Sequence, residues 1–504
     1  MILDSASIDR DVSLRADVCI VGSGAGGAVV AKELAEHGRS VVVVEEGSYV
    51  TNRDFTQREE QMLRQLYADQ GLRTTVDSTV VISQGSVLGG STVPSFCLCV
   101  RPPRHLLGHW AAAFGLHEMH FEDLVPFFER VEAAAMVRPL RPEDVNKNNE
   151  KLKTGAERLG FRATLPAHNR IDCLGCGFCE LGCAYDRKGD AATVHLPIAS
   201  RHGAIIVPDC RVERIDVTDG HAAGIAGRFV RSRTGQTYTL TVRADTVVLA
   251  AGAIASPALW LRSQLPNTHQ QVGRNLHLHP QVVLGGLFNE EIAGWKGIPQ
   301  SVIVDEFLTL ERNLEGGYLL TSFVAHPVTL AALLPGFGAE HARLMDAYPR
   351  LALAAVVLHD RTAGRVELDS NGRTVVSYHL NDEDRSDLLD GMRRLADILF
   401  AGGAERVVLP YNEVRELAHR ADYKAIDEHP FRANDPLLLS YHPHGTLRMG
   451  ADPKRSVVNS RGEAHEVRRL FVADASIFPT AIAVPPQLSV MAFALRTAQL
   501  IAEG

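Results

Sequence analysis

The stretch from Asp17 to Gly47, DVCIVGSGAGGAVVAKELAEHGRSVVVVEEG, narrows the choice of folds more than any other part of the chain. An apolar run, Val18 to Val21, enters a turn carrying Gly22, Gly24 and Gly27. An amphipathic segment follows to about His37, Gly38 stops it, and a second apolar run, Val41 to Val44, ends at Glu45. Strand, glycine turn, helix, strand and acid in that order are the signature of a dinucleotide-binding βαβ unit. Gly22 permits the tight turn, Gly24 lets a pyrophosphate approach the backbone, and Gly27 lets helix and strand pack closely. The helix N-terminus turns free N–H groups and partial positive charge toward the phosphates. Glu45 stands where an acid hydrogen-bonds the ribose hydroxyls. On this stretch alone, FAD and NAD are both open.

With 504 residues the chain is too long for one core and suits two or three domains. A net charge of -8 offers no basic footprint for nucleic acid. No apolar run approaches the roughly 18 residues of a membrane span, and the first residues lack the basic start and apolar core of a signal peptide. The expectation is a cytoplasmic protein with no transmembrane segment.

After the opening unit, Ser83 to Pro103 is rich in glycine and small residues, as where backbone passes close to a flat ligand. Trp110 to Met136 reads as helices, and Pro139 to Asn149 as a polar linker. Asp245 to Leu265 reads as a buried strand ending in Ala-Ala-Gly and turning into a helix, a second approach to the dinucleotide. From about Asn289 to Asn434 the pattern changes, with a hairpin turning at Asn371-Gly372 and a long amphipathic helix, SDLLDGMRRLADILF. A final helix from about Pro486 to Glu503 repeats apolar residues at helical spacing. The dinucleotide domain is thus assembled from both chain ends and the middle.

Four of the eight cysteines crowd into Cys173, Cys176, Cys179 and Cys183, spaced C-x2-C-x2-C-x3-C. That is the spacing of bacterial ferredoxins, and structural zinc more often takes two knuckles about a dozen residues apart. An iron–sulfur cluster is the leading expectation, with free thiols or disulfides next and zinc last.

The motifs GSGAGG with VVVVEEG, GSVLGGST, AAGAIASP, VGRNLHLHP, HPHGTLRMG and VADASIFPT occur in the order found in the glucose-methanol-choline (GMC) oxidoreductases, and the chain resembles that family from residue 17 to 504. Its cysteine-rich insert is most similar to long-chain alcohol oxidases and bacterial FAD-dependent sugar dehydrogenases. The resemblance implies an α/β fold: a Rossmann-like FAD-binding domain (1–110, 190–288 and 435–504), a helical, cysteine-rich insert (111–189), and a substrate domain on a mostly antiparallel sheet (289–434). It implies FAD, held non-covalently since no histidine lies in the GGSTVPSF loop. Contacts to it are expected from Gly22, Gly24, Ala25, Gly27, Glu45, Gly89, Gly90, Ser91, Val212, Ala251, Gly252, Ser256, Asp474 and Ala475.

The same resemblance implies oxidation of a small-molecule alcohol. His442 of HPHGT takes the hydroxyl proton, hydride passes to FAD N5, and electrons leave to oxygen, a quinone or a redox partner protein. Histidine suits the task because its pKa lies near operating pH. His444, two residues on, is read as a packed or partly solvated side chain. Where relatives carry a second polar residue, Asn or His, this chain has Pro485, and Gln487 is the nearest replacement. Pro94 stands where relatives often have Asn. His277, His279 and His326 are read as structural. The apolar stretch Leu319 to Phe337 suggests a lipophilic substrate. The alternatives are a flavoprotein lyase or decarboxylase of the same family, suggested by Pro485, and an iron–sulfur-linked dehydrogenase subunit acting on sugar or polyol.

Overall fold

The computed structural model describes residues 1–3, 5–230, 235–308 and 315–503. The apolar runs on either side of the glycine turn become neighbouring strands. Val12–Val21 lies parallel to Val41–Val44 on one side and to Thr239–Leu249 on the other, with Val18 opposite both Val41 and Thr246. Ile205–Val207 extends the sheet beyond Val41–Val44, and Leu470–Val472 pairs with the end of Thr239–Leu249, both in parallel. These strands are covered on both faces, which is why they read as unbroken Val, Ile and Leu. The first half of Thr239–Leu249 pairs antiparallel with His221–Phe229, which carries Cys210–Thr218 and completes a seven-stranded sheet. Residues 231–234, between these two strands, lie outside the described residues.

Helix Ala25–Glu36 follows the turn and packs against the final helix, Gln487–Glu503, and against His195–Arg201. Gly22 has φ +98°, and a Cβ on Gly27 would lie 2.0 Å from the Gly22 carbonyl oxygen, so the helix can approach the strand only with glycine there.

The second sheet has eight strands, all paired antiparallel except Leu438–Ser440 with Val80–Ile82. Its centre is Gln281–Leu287 between Leu351–Leu358 and Arg406–Val408. Val80–Ile82, Gln281–Leu287 and Leu438–Ser440 belong to this sheet, although the motif order assigns them to the nucleotide-binding part. Hydropathy marks a short apolar run as a strand but not which distant edge it joins.

Helices Lys147–Arg158 and Asp382–Ala401 cover one face. The former starts inside the stretch read as a polar linker, because Asn146 caps it by accepting the Asn149 N–H at 3.0 Å. The hairpin Gly364–Leu368 and Thr374–Ser377 turns at Asn371-Gly372 as expected. On the other face Leu319, Phe323, Leu330, Leu353 and Val357 close on one another. Among the described residues no helix is long and apolar enough to cross a membrane.

Candidate active site

A cavity of about 1260 Å³ runs from the carboxyl ends of the parallel strands to the edge of the second sheet, where ligands bind in doubly wound folds. Of the residues expected at a cofactor, Gly22, Gly24, Ala25, Glu45, Gly90, Ser91, Val212, Ala251, Gly252, Asp474 and Ala475 line it. Gly27, Gly89 and Ser256 do not. Gly27 is consumed by helix–strand packing, and Gly89, at φ +98°, turns its N–H away to Ser23 Oγ at 2.9 Å. Ser256 donates to Asp474 Oδ2 at 2.5 Å and so braces a lining residue.

Glu45 is 6% exposed. Its Oε2 accepts from the Ser23 N–H and hydroxyl at 3.0 and 2.7 Å, and its Oε1 accepts from the Gly47 N–H at 2.8 Å. Burial pushes its carboxyl up to about 7. A Cβ placed on Gly24 would meet nothing nearer than the Gly90 Cα at 3.8 Å. This open cradle beside a buried acid fits an ADP moiety, and the volume exceeds the roughly 300–1,000 Å³ of a small-ligand pocket, leaving room for a dinucleotide and a substrate.

At the other end Tyr441, His442 and Pro443 line the cavity just after strand Leu438–Ser440, and Gln487 lines it at the start of the last helix. His442 Nδ1 and Gln487 Nε2 are both buried without a hydrogen-bond partner. Burial lowers the His442 imidazole to about 4, opposed by the charge of Asp360, so the ring is neutral and able to accept a proton. His444 does not line the cavity. Its Nδ1 donates to the His442 carbonyl at 2.6 Å.

Behind His442 lies a packed set of rings. His279 stands edge-on to His442 and to His444, with centroids 5.5 and 4.7 Å away, and His444 stacks on His277 at 5.5 Å. Beneath them Asp360 is fully buried. Burial raises its pKa, but His277 and the neighbouring imidazoles more than offset this and hold it below the usual carboxylate range. The N–H groups of Leu278 and His279 and the hydroxyl of Tyr378 donate to it at 2.9, 3.2 and 2.7 Å.

The cysteine segment is a buttress. Arg170, buried, sets one guanidinium nitrogen 3.7 Å from Cys173 Sγ and 3.6 Å from Cys179 Sγ, while Cys183 Sγ receives the Arg187 N–H at 3.3 Å. All eight cysteines are free. Among the described residues no three of His, Cys, Asp and Glu converge to hold a metal ion, so this arrangement does not assemble the iron–sulfur site expected from the spacing. A guanidinium stands between two of the sulfurs instead. Lys188 bridges the carbonyls of Val93 and Cys179, which ties this segment to the cavity wall at Pro94 and Ser95.

Leu319 to Phe337 supply no lining residue. Their apolar side chains are taken up by the second sheet's own core, and Phe337 is 94% exposed. The wall near His442 holds Gln281, Gln300, Glu180, Tyr67 and Tyr441 instead. No local motif marks them, since contacts between segments distant in the chain bring them together.

Family profiles described as GMC oxidoreductase match residues 63–281 and 360–494, and an NAD(P)-binding Rossmann-like profile matches 20–90. An uncharacterized GMC-type oxidoreductase of Mycobacterium tuberculosis is 35% identical over 98% of this chain and 76% of its own. A long-chain-alcohol oxidase of Arabidopsis thaliana is 31% identical over 97% of this chain and 69% of its own. The crystal structure of pyridoxine 4-oxidase from Mesorbium loti superposes with a TM-score of 0.72 at 20% identity, covering 97% of this chain and 99% of that one.

Proposed function

Because this chain belongs to the GMC oxidoreductase family, we propose that it oxidises an alcohol to a carbonyl compound, with His442 as the base. FAD, when bound, supplies the two-electron acceptor for the hydride. The glycine turn, Glu45 and Asp474 hold its nucleotide end, and Gly90 and Ser91 face its ring. Neutral His442 takes the hydroxyl proton, and Gln487 Nε2 donates to the same oxygen, so the alkoxide forms where a donor already waits. The observation that carries this reading is that His442 and Gln487 each leave a buried nitrogen unpaired on one cavity. Gln487 also answers the lyase alternative, which drew its support from the missing polar partner at Pro485.

The polar wall favours an alcohol bearing other hydrogen-bonding groups over the lipophilic alcohol expected from Leu319 to Phe337. Oxygen is the proposed electron acceptor, supported by the oxidase names of the Arabidopsis and pyridoxine relatives. The test is anaerobic bleaching of the flavin by a panel of alcohols. Bleaching by at least one is expected, and none by any would overturn the reading.

A further inference from the structure

Asp360 stands just past strand Leu351–Leu358, fully buried and off the cavity. Its carboxylate accepts two backbone N–H groups and the Tyr378 hydroxyl, but no guanidinium or ammonium. The guanidinium of Arg361, the next residue, turns to Asp384 and Asp387 at 3.2 and 2.7 Å. Among the described residues the one basic nitrogen within 4 Å of Asp360 is His277 Nδ1, at 3.8 Å. Burial opposes ionisation of Asp360, and the surrounding imidazoles and hydrogen bonds outweigh it. A buried charge is ordinarily paired with an opposite one, and three neutral donors are no counter-charge.

Five imidazoles face this charge: His277, His279, His359, His442 and His444. His359 turns its nitrogens to the carbonyls of Gly316 and Ala481. Burial lowers His279, His359, His442 and His444, so these rings are neutral at pH 7 and do not answer the charge of Asp360. Only His442 of the five lines the cavity, so it alone can receive a proton from a substrate there. Its ring stands edge-on to His279, whose backbone N–H is donated to Asp360 at 3.2 Å. His277 and His444 exchange backbone hydrogen bonds at 3.0 Å, which fixes the two segments carrying these rings. Glu180, on the same cavity, is raised by burial to about 8 and adds no charge at pH 7. A proton taken by His442 therefore enters a site where one negative charge already waits and nothing need reorganise.

We propose that Asp360 is a positioning residue of the oxidation, its buried charge serving as counter-ion to the imidazolium that His442 becomes when the hydroxyl O–H bond breaks and the proton passes to its ring. This rests on the reading of His442 as the base. The electron pair of the broken bond stays on the substrate oxygen, and the His442–Asp360 pair goes from negative to neutral. The experiment compares wild-type, Asp360→Asn and Tyr378→Phe holoenzymes in anaerobic stopped-flow reduction by 1-butanol, benzyl alcohol and glycerol. Each enzyme is kept at pH 7 and jumped on mixing to a pH between about 4 and 8, the range that spans the His442 limb. Asp360→Asn removes the charge at nearly constant volume, whereas Tyr378→Phe removes a hydrogen bond and keeps the charge.

Asp360→Asn should slow the limiting rate of reduction at least about tenfold, the worth of one pKa unit at the base, and leave the half-saturating alcohol concentration unchanged. Its acid limb should move below that of the wild type, because the upward pull on His442 is gone. A packing defect would act oppositely, since water reaching His442 would carry the limb up toward ~6.5. Tyr378→Phe should reduce at close to the wild-type rate. A limb that rises in Asp360→Asn overturns the proposal, as does an unchanged limiting rate. If Asp360→Asn does not retain FAD, Tyr378→Phe decides: a near-wild-type rate supports a role carried by charge, and a tenfold loss overturns it. If no alcohol reduces the wild type, the oxidation reading fails, and the flavin absorbance after the pH jump decides for Asp360. The counter-ion then stands if the wild type shows a protonation midpoint, absent from His442→Gln, that is lower in Asp360→Asn, and it falls otherwise.

Discussion

The hydroxyl of Ser95 donates to Oε1 of Gln487 at 3.3 Å. Its oxygen already accepts the Cys97 N–H at 3.1 Å, so its hydrogen is directed at the amide, and the amide in turn presents Nε2 to the cavity. Gln487→Ala should lower the rate of flavin reduction by about 10²-fold, the order lost with one donor at a developing oxyanion. Ser95→Ala should cost less, about tenfold, because it frees the amide to turn over without removing it. Stopped-flow reduction by a common alcohol checks both, and equal rates for Gln487→Ala and wild type would remove Gln487 from the reaction.

His442→Gln should slow flavin reduction by about 10²–10⁴-fold, the usual worth of a general base, with bound FAD retained. Because burial lowers His442 to about 4, and a base must be neutral to act, kcat/KM should stay level from neutral pH to about 5 and decline below. An unperturbed histidine would place that limb near ~6.5. A pH–rate profile decides between them.

Burial holds eight described histidines below their ordinary pKa: His168, His195, His279, His326, His359, His442, His444 and His465. For such a group the unfolded chain binds the proton first, so stability is full above about 6.5 and is lost as pH falls toward the folded value, by up to about 1.4 kcal/mol per pH unit for each. Glu45, Glu180, Asp190 and Asp474 are raised by burial and act in the opposite sense. Histidines outnumber them, so the urea midpoint should fall between pH 6.5 and about 4.5. A midpoint that rises over that interval would contradict this balance.

Gly24 and Gly27 should respond differently to alanine. A Cβ on Gly24 has open space, whereas one on Gly27 lies 2.0 Å from the Gly22 oxygen. Gly24→Ala should fold and lose FAD affinity by tenfold or more, a change of about 1.4 kcal/mol. Gly27→Ala should lose stability by about 1–3 kcal/mol, the usual cost of overpacking. Flavin fluorescence titration and thermal unfolding at saturating FAD separate the two effects.

With Arg170 between the Cys173 and Cys179 sulfurs, aerobically or anaerobically purified protein should contain flavin but no stoichiometric iron or acid-labile sulfide. Colorimetric iron and sulfide assays against FAD content provide the measurement, and near-stoichiometric iron would restore the ferredoxin-like reading of Cys173 to Cys183.

The nucleotide-binding half was legible because its signals are local: a glycine turn between apolar runs can be read within about thirty residues. His442 was legible through a short motif, whereas strand alternation would put His444 on the same face, and it is the bond of His444 Nδ1 to the His442 carbonyl, beyond the end of Leu438–Ser440, that accompanies its place off the cavity. What the chain hides is pairing. Gln281 and Glu180 reach the cavity because Gln281–Leu287 joins Leu351–Leu358 and because Lys188 and Arg170 fasten the cysteine segment to the Val93–Phe96 wall. Neither contact leaves a periodicity to find. The stretch from Leu319 to Phe337 misled for the converse reason, since an apolar run looks the same whether it faces a ligand or its own sheet.

The pairing of Leu470–Val472 with Thr239–Leu249 has a consequence for how the protein is made. Until Leu470–Val472 emerges from the ribosome, the Val247–Leu249 end of Thr239–Leu249 has no partner on that side, and Asp474, which accepts the Gly252 N–H at 2.8 Å, is not yet made. Contacts so distant in the chain form slowly, and an unpaired apolar edge invites association in the interval. The Gly252 turn that Asp474 braces is therefore complete only once residues 470–474 have joined the sheet.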